Sequence, residues 1–173
     1  MIKYTLIGLA ALSASSFAGE IQLNPATPTD AKSGAEEPAH VIHNVRTTAF
    51  THNESDHIEY GSQNAAGGEL KYGKIRSAAA DWSVYPVGTV FQIEGDPHIY
   101  VVDDYGSALV GTGTIDLYKP SFSAMNSWGT RKVNIHVLKW GSYSKSLAIL
   151  KPRQGAASHV RKMVSQIEAK NAA

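Results

Sequence analysis

Residues 99–118 read Ile99-Tyr-Val-Val-Asp-Asp-Tyr-Gly-Ser-Ala-Leu-Val-Gly-Thr-Gly-Thr-Ile-Asp-Leu-Tyr118. Two short runs of β-branched and aromatic residues flank a loop punctuated by Gly106, Gly111 and Gly113. Such a pattern predicts two strands joined by a glycine-rich turn region. Side chains alternate across a strand, so Ile115 and Leu117 share one face and Asp116 takes the other. Aspartate is depleted in strands, which makes Asp116 a poor choice for structure alone. The first run also closes on aspartate, at Asp103-Asp104.

The same short period recurs on both sides of this stretch. Val45, Thr47 and Ala49 alternate with Arg46, Thr48 and Phe50, although Phe50 then falls on the polar side. Ile75–Ala80 and Thr89–Glu94 predict further strands, separated by turns at Pro86-Val-Gly88 and Gly95-Asp96-Pro97. Pro120 suits the first turn of a short helix over Ser121–Ser127, with Gly129 just past its end. Val133–Leu138 opens V-N-I-H-V, a strict alternation. Six short strands with one small helix predict an all-β fold closed into a small barrel, since closure removes exposed edges. A further helix is expected after Gln154, with Val160, Met163, Val164 and Ile167 on one face. Its deletion is expected to leave the barrel folded. Residues 51–74 form a polar, glycine-rich excursion of a length usually associated with function or mobility.

The chain has 173 residues, 43% of them hydrophobic and 18% charged, enough for one domain with a core and tails. It contains no cysteine, which excludes disulfides, Cys-zinc sites, iron–sulfur clusters, cysteine nucleophiles and a lipidated N-terminal Cys. The net charge of +1 gives no overall basic footprint, so no nucleic-acid partner is expected. Residues 19–130 hold six Lys/Arg and fourteen Asp/Glu, whereas residues 131–173 hold nine Lys/Arg and only Glu168. Lys3, the apolar run Leu6–Leu12 and the small residues around Ser16-Phe17-Ala18 predict a secretion signal over 1–18. That run is shorter than the ~20 residues a membrane span needs, so stable membrane insertion is not expected. Residues 19–41 carry Pro25, Pro28 and Pro38 with no aromatic residue and predict a disordered linker. The barrel is expected over 42–141 and a basic extension with its helix over 142–173. The expected product is an exported monomer of a bacterial periplasm, envelope or medium.

Chemistry falls to Asp81, Asp103, Asp104 and Asp116. Carboxylates held close together against apolar walls have their pKa values pushed apart, and one then stays protonated as a general acid. Aspartates at strand ends also serve by accepting backbone N–H bonds, and composition leaves both roles open. His40/His43 and His52/His57 lack a third ligand at a zinc spacing, so no metal and no cofactor are expected. No Gly-x-Ser-x-Gly elbow supports a serine triad.

Asp81, then Val102-Asp-Asp104-Tyr-Gly106-Ser-Ala-Leu-Val-Gly111, then Ile115-Asp116-Leu-Tyr118 resembles the three-aspartate (3D) domain, the catalytic barrel of membrane-bound lytic transglycosylase A and related bacterial cell-wall lysins. The resemblance extends from Val45-Arg-Thr-Thr-Ala-Phe50 through Tyr85-Pro-Val-Gly-Thr89 and Trp128-Gly129 to the closing strand. It implies a six-stranded double-psi β-barrel that cleaves the MurNAc-β-1,4-GlcNAc bond of peptidoglycan with formation of 1,6-anhydro-MurNAc. By position, Asp116 matches the acid-then-base, Asp104 its hydrogen-bonding neighbour and Asp81 the third member. Tyr105, Gly106, Ser107, Tyr118, Lys119 and Trp128 are the glycan contacts so implied. This chain has Asp104-Tyr-Gly-Ser107 where the family commonly has Asp-Thr-Gly-Gly. A non-catalytic glycan-binding or wall-binding barrel is the alternative, because the fold alone does not fix the reaction.

Overall fold

In V-N-I-H-V, Ile135 and Val137 are buried while Asn134 and His136 remain half-buried, as strict alternation requires. They belong to the last of six strands in a computed structural model, which describes residues 40–54 and 61–172. The strands are β1 (His40–Phe50), β2 (Ile75–Ala79), β3 (Val90–Ile93), β4 (Ile99–Asp104), β5 (Ile115–Tyr118) and β6 (Arg131–Lys139). They close into a barrel in the order β1-β5-β2-β4-β3-β6. β1–β5 and β2–β4 are parallel and the other pairs antiparallel, so the sheet is mixed.

The expected signal segment 1–18 and the linker up to residue 39 lie outside the described residues. His40 and Val41, expected in that linker, instead open β1, because they pair with Val137 and His136 of β6. The register then slips between Ile42 and Val45, where Asn44 takes a φ of 57°. Beyond that slip the alternation begins as the sequence reads.

The barrel interior is filled by Val45, Ala78, Phe91, Tyr100, Val102, Ile115, Leu117 and Ile135. Phe50 does not join it. It packs with Ala79, Leu109, Tyr118 and Leu70 in a second, smaller cluster. The parity that put Phe50 on the polar side was correct, and that face carries a small apolar patch of its own.

The short helix forms as α1 (Phe122–Trp128), one residue later than the sequence suggests. Ser121 is its N-cap and accepts the N–H of Ala124, and the Gly129 N–H closes the end on the Met125 carbonyl. A second helix, α2 (Tyr143–Leu150), was not expected; Ser142 caps it by accepting from the Lys145 N–H. α3 (Ser158–Asn171) buries Val160, Met163, Val164 and Ile167, the four residues anticipated. These four belong to one cluster with Trp82, Tyr85 and the barrel interior, so α3 is part of the core. The expectation that α3 is dispensable for folding sits poorly with that packing.

Candidate functional site

Asp116 is placed by its neighbours. Ile115 and Leu117 are fully buried in the barrel, which forces the Asp116 side chain to the opposite face. There it pairs with Thr48 on β1, whose hydroxyl donates to Asp116 Oδ1 at 2.7 Å. On its other side Asp116 lies opposite Ala79 of β2.

Asp104 reaches the same row by an irregularity. β2 and β4 pair Ala78 with Val102, then Ala79 with Asp104, leaving Asp103 as an extra residue. In an unbroken strand Asp104 would follow Tyr100 and Val102 into the core, and the extra residue turns it outward. The result is a row Thr48–Asp116–Ala79–Asp104 across four neighbouring strands. Two aspartates therefore stand on either side of a methyl group, their strands about 10 Å apart across β2.

The 61–74 segment is clamped onto Asp104 and its neighbour Asp103. Asp104 Oδ1 accepts the N–H groups of Ala65 at 3.1 Å and Tyr105 at 2.9 Å. Asp103 Oδ2 accepts from Asn64 (3.1 Å), Ser77 (2.8 Å) and Lys71, whose ammonium stands at 2.8 Å. Burial pushes the Asp103 carboxyl above its ordinary range, and the hydrogen bonds from Lys71 and Ser77 pull the other way. Asn64 also organises the turn itself, accepting the Gly68 N–H on its side-chain oxygen and donating to the Glu69 carbonyl. Within its described part, the excursion is thus an ordered clasp.

Asp81 is a different kind of aspartate. It is fully buried, Oδ1 accepts from the Ser83 N–H (2.9 Å) and hydroxyl (2.6 Å), and Oδ2 accepts the Gly111 N–H at 2.8 Å. Its carboxylate ties the 81–85 turn to the glycine-rich loop, a positioning role.

The implied glycan contacts divide. Tyr105 turns away from the aspartates: its ring meets the edge of Trp82 at 5.0 Å and approaches His159 of α3. Gly106 has Leu109 in ordinary contact range of an added methyl, and Ser107 is exposed. Tyr118 lies two residues beyond Asp116 on its face, with its hydroxyl 2.7 Å from His52 Nδ1; burial raises its pKa. Lys119 and Trp128 meet each other, the ammonium 4.6 Å from the indole centroid, and the indole N–H reaches the Thr47 hydroxyl at 3.3 Å. Thr48, Asn64, Lys71 and Ser77 escaped the sequence reading as site residues, and His52, weighed there only as half of a metal pair, instead meets the Tyr118 hydroxyl. For Thr48 a signal existed, since the alternation around Val45 already set its parity. A recess of about 410 Å³ between the β3–β4 turn and β6, lined by Gln92, Glu94, Asp96 and His136, contains none of Asp81, Asp104 or Asp116. Among the described residues, no group of three or more His, Asp or Glu could hold a metal, and no helix is long and apolar enough to cross a membrane.

A barrel carrying three aspartates in this order, in the turn after β2, at the end of β4 and within β5, has a counterpart. Residues 76–139 match the family model of the 3D domain. The matched segment runs from β2 to β6 and contains Asp81, Asp104 and Asp116, in keeping with the three-aspartate domain family. The 3D family is associated with cell-wall lytic enzymes. β1, which supplies Thr48, and helices α2 and α3 lie outside the matched segment. The chain matches no curated protein.

Proposed function

We propose that the protein is an exported peptidoglycan lytic transglycosylase that cleaves the MurNAc-β-1,4-GlcNAc bond, with Asp116 as general acid and then base. The observation that carries the reading is the register row, which sets Asp116 and Asp104 on one face with only the Ala79 methyl between them. In this reading Asp116 protonates the leaving glycosidic oxygen. It then takes the proton of the muramyl C6 hydroxyl as that oxygen closes on C1, giving the 1,6-anhydro ring without water. Thr48 fixes the carboxyl rotamer, and Asp104, itself held by two backbone N–H groups, orients and tunes its neighbour from across Ala79. Asp81 shapes the loop instead of touching the glycan.

Mass spectrometry of sacculi digested by the purified protein tests this. The expected product is anhydro-muramyl, and Asp116→Asn is expected to lower its release by roughly 10²–10⁴-fold while glycan binding persists. A reducing muramyl end would mean that water attacks and the enzyme is a hydrolase. One observation favours a non-catalytic wall-binding barrel instead: the carboxylates of Asp81 and Asp104 both take backbone N–H groups as structural aspartates do. Under that reading the wild type binds sacculi and releases nothing.

A further inference from the structure

Lys119 is 4% exposed, and among the described residues no carboxylate lies within ion-pair distance of it. A buried ammonium without an anion is costly, so its surroundings ask for an explanation. They are cationic and aromatic. The ammonium stands 4.6 Å from the Trp128 centroid and 5.7 Å from that of Tyr72. The Arg131 guanidinium lies over the same indole at 4.2 Å, and that of Arg76 over Tyr72 at 4.2 Å. The ring faces offer partial compensation to each cation and none of the charge neutralisation that a carboxylate gives.

The two guanidiniums are held by neutral acceptors. Arg131 donates to the carbonyls of Ser127 and Trp128. Arg76 donates to the Gly73 carbonyl and to His98 Nε2, at 2.8 Å. Arginine has only donors, so the other ring nitrogen of His98 carries its proton toward Asp96. Asp96 is engaged by that proton, by the His98 N–H and by the Tyr100 hydroxyl. Burial, together with Arg76 and Arg131, holds Lys119 below the ordinary lysine range, and Asp96 opposes that only in part. Arg131 is exposed and Tyr72 is 40% exposed, so the cluster opens to solvent.

We propose that Lys119, Arg76 and Arg131, walled by Tyr72 and Trp128, form an anion site for a carboxylate; resting on the cell-wall reading above, that carboxylate belongs to the stem peptide of a muramyl residue bound at Asp116. The position fits. Lys119 lies three residues beyond Asp116, about 10 Å along the chain. Tyr72 bridges the two places, meeting Tyr118 edge-on at 6.3 Å on the aspartate face and Lys119 on the other side. Each arginine spends its Nε–Nη2 edge on the acceptors named above and keeps Nη1 for a carboxylate, and the lysine supplies a compact charge beneath it.

The test compares two ligands and two proteins. One ligand is the disaccharide-tetrapeptide muropeptide with free carboxylates; the other is the same compound with its carboxylates converted to amides. The wild-type chain is expected to bind the free acid roughly tenfold or more tightly than the amide, and Lys119→Met to lose that preference. Methionine keeps the length of the side chain and removes the buried charge, so the variant is expected to fold. In parallel, sodium acetate against a sodium chloride control is expected to shift the Trp128 indole N–H resonance in the wild type and not in Lys119→Met. Equal binding of both ligands by the wild type, or an undiminished preference in Lys119→Met, overturns the stem-peptide assignment. Binding of neither ligand overturns the cell-wall reading; an acetate shift then still upholds the anion site, and its absence overturns the site too.

Discussion

Replacing Asp81 with asparagine separates a positioning aspartate from a catalytic one. The wild-type carboxylate is fully buried and accepts three donors, two from Ser83 and one from the Gly111 N–H. Asparagine retains one acceptor oxygen and puts an NH₂ group where the other stood. In either amide orientation a donor faces a donor. The cheaper orientation spares the buried Ser83 N–H and loses one charge-assisted hydrogen bond, from Gly111, about 1.5–3 kcal/mol; Gly111 is exposed, so its freed N–H turns to water. Part of this is offset because a buried charge has been removed, so a net destabilisation of about 1–2 kcal/mol is expected. At about 2–4 °C per kcal/mol for a chain of this size, the melting temperature is expected to fall by roughly 2–8 °C. Urea unfolding and hydrogen exchange at the Gly111 amide measure both consequences: a lower midpoint and lost protection of that one amide. Ser83→Ala, which keeps the N–H bond to Asp81 and removes the hydroxyl with its contacts to Asp81 Oδ1 and Gln166 Oε1, is expected to cost about 1 kcal/mol. The reasoning fails if Asp81→Asn keeps the wild-type midpoint and a protected Gly111 amide yet loses product formation by 10²-fold or more. Asp81 would then act in the chemistry.

Truncation after Gln154 removes the buried Val160, Met163, Val164 and Ile167. At about 1.5–3 kcal/mol each, they contribute roughly 6–12 kcal/mol, comparable to the whole stability of a domain, so the remaining chain is expected to lack a cooperative unfolding transition in calorimetry. Gly141→Ala drives a methyl into the carbonyls of Pro86 and Val87 and threatens the Ser142-to-Val87 bond; a loss of about 3 kcal/mol is expected in urea denaturation. Burial raises the pKa of Tyr85, Tyr100 and Tyr118 above 10, so their stabilisation is complete below pH 10 and is lost as pH rises through the raised values. Lys119 runs the other way: its cost is fully present at neutral pH and relieved between its lowered pKa and 10.5, so in Lys119→Met the urea midpoint is expected to be higher at pH 7 and to lack that rise.

The sequence shows the strands where one face is apolar and the period is plain. Ile115 and Leu117 around Asp116, and V-N-I-H-V in β6, carry their own parity, and Val160, Met163, Val164 and Ile167 carry the helical one. The fate of Phe50 was half legible: its side was right, but the patch awaiting it is assembled from Ala79, Leu109 and Tyr118, each on a different segment. α2 was missed because Tyr-Ser-Lys-Ser-Leu-Ala-Ile-Leu buries only Ser146 and Leu150 and shows no strong stripe. The Asp103–Asp104 irregularity could not be read from β4 alone, since it exists only relative to the partner strand that carries Ala79. Nor could the isolation of Lys119, which depends on where every carboxylate ends up.

β1 has a further consequence, in the order of events during synthesis. Its two partners are the last strands to be made: Thr47 pairs with Ile115 of β5 and with Arg131 of β6. At about 5–20 residues per second, β1 waits several seconds with both edges open before either partner exists. Closing loops of that length must precede any reward from pairing, which predicts slow, high-contact-order folding with β1 joining last. Until then its apolar residues, Val41, Ile42 and Val45, form a ready template for another chain. The strand that supplies Thr48 to Asp116 is thus also where a nascent chain is most open to aggregation and a holdase would have most to protect.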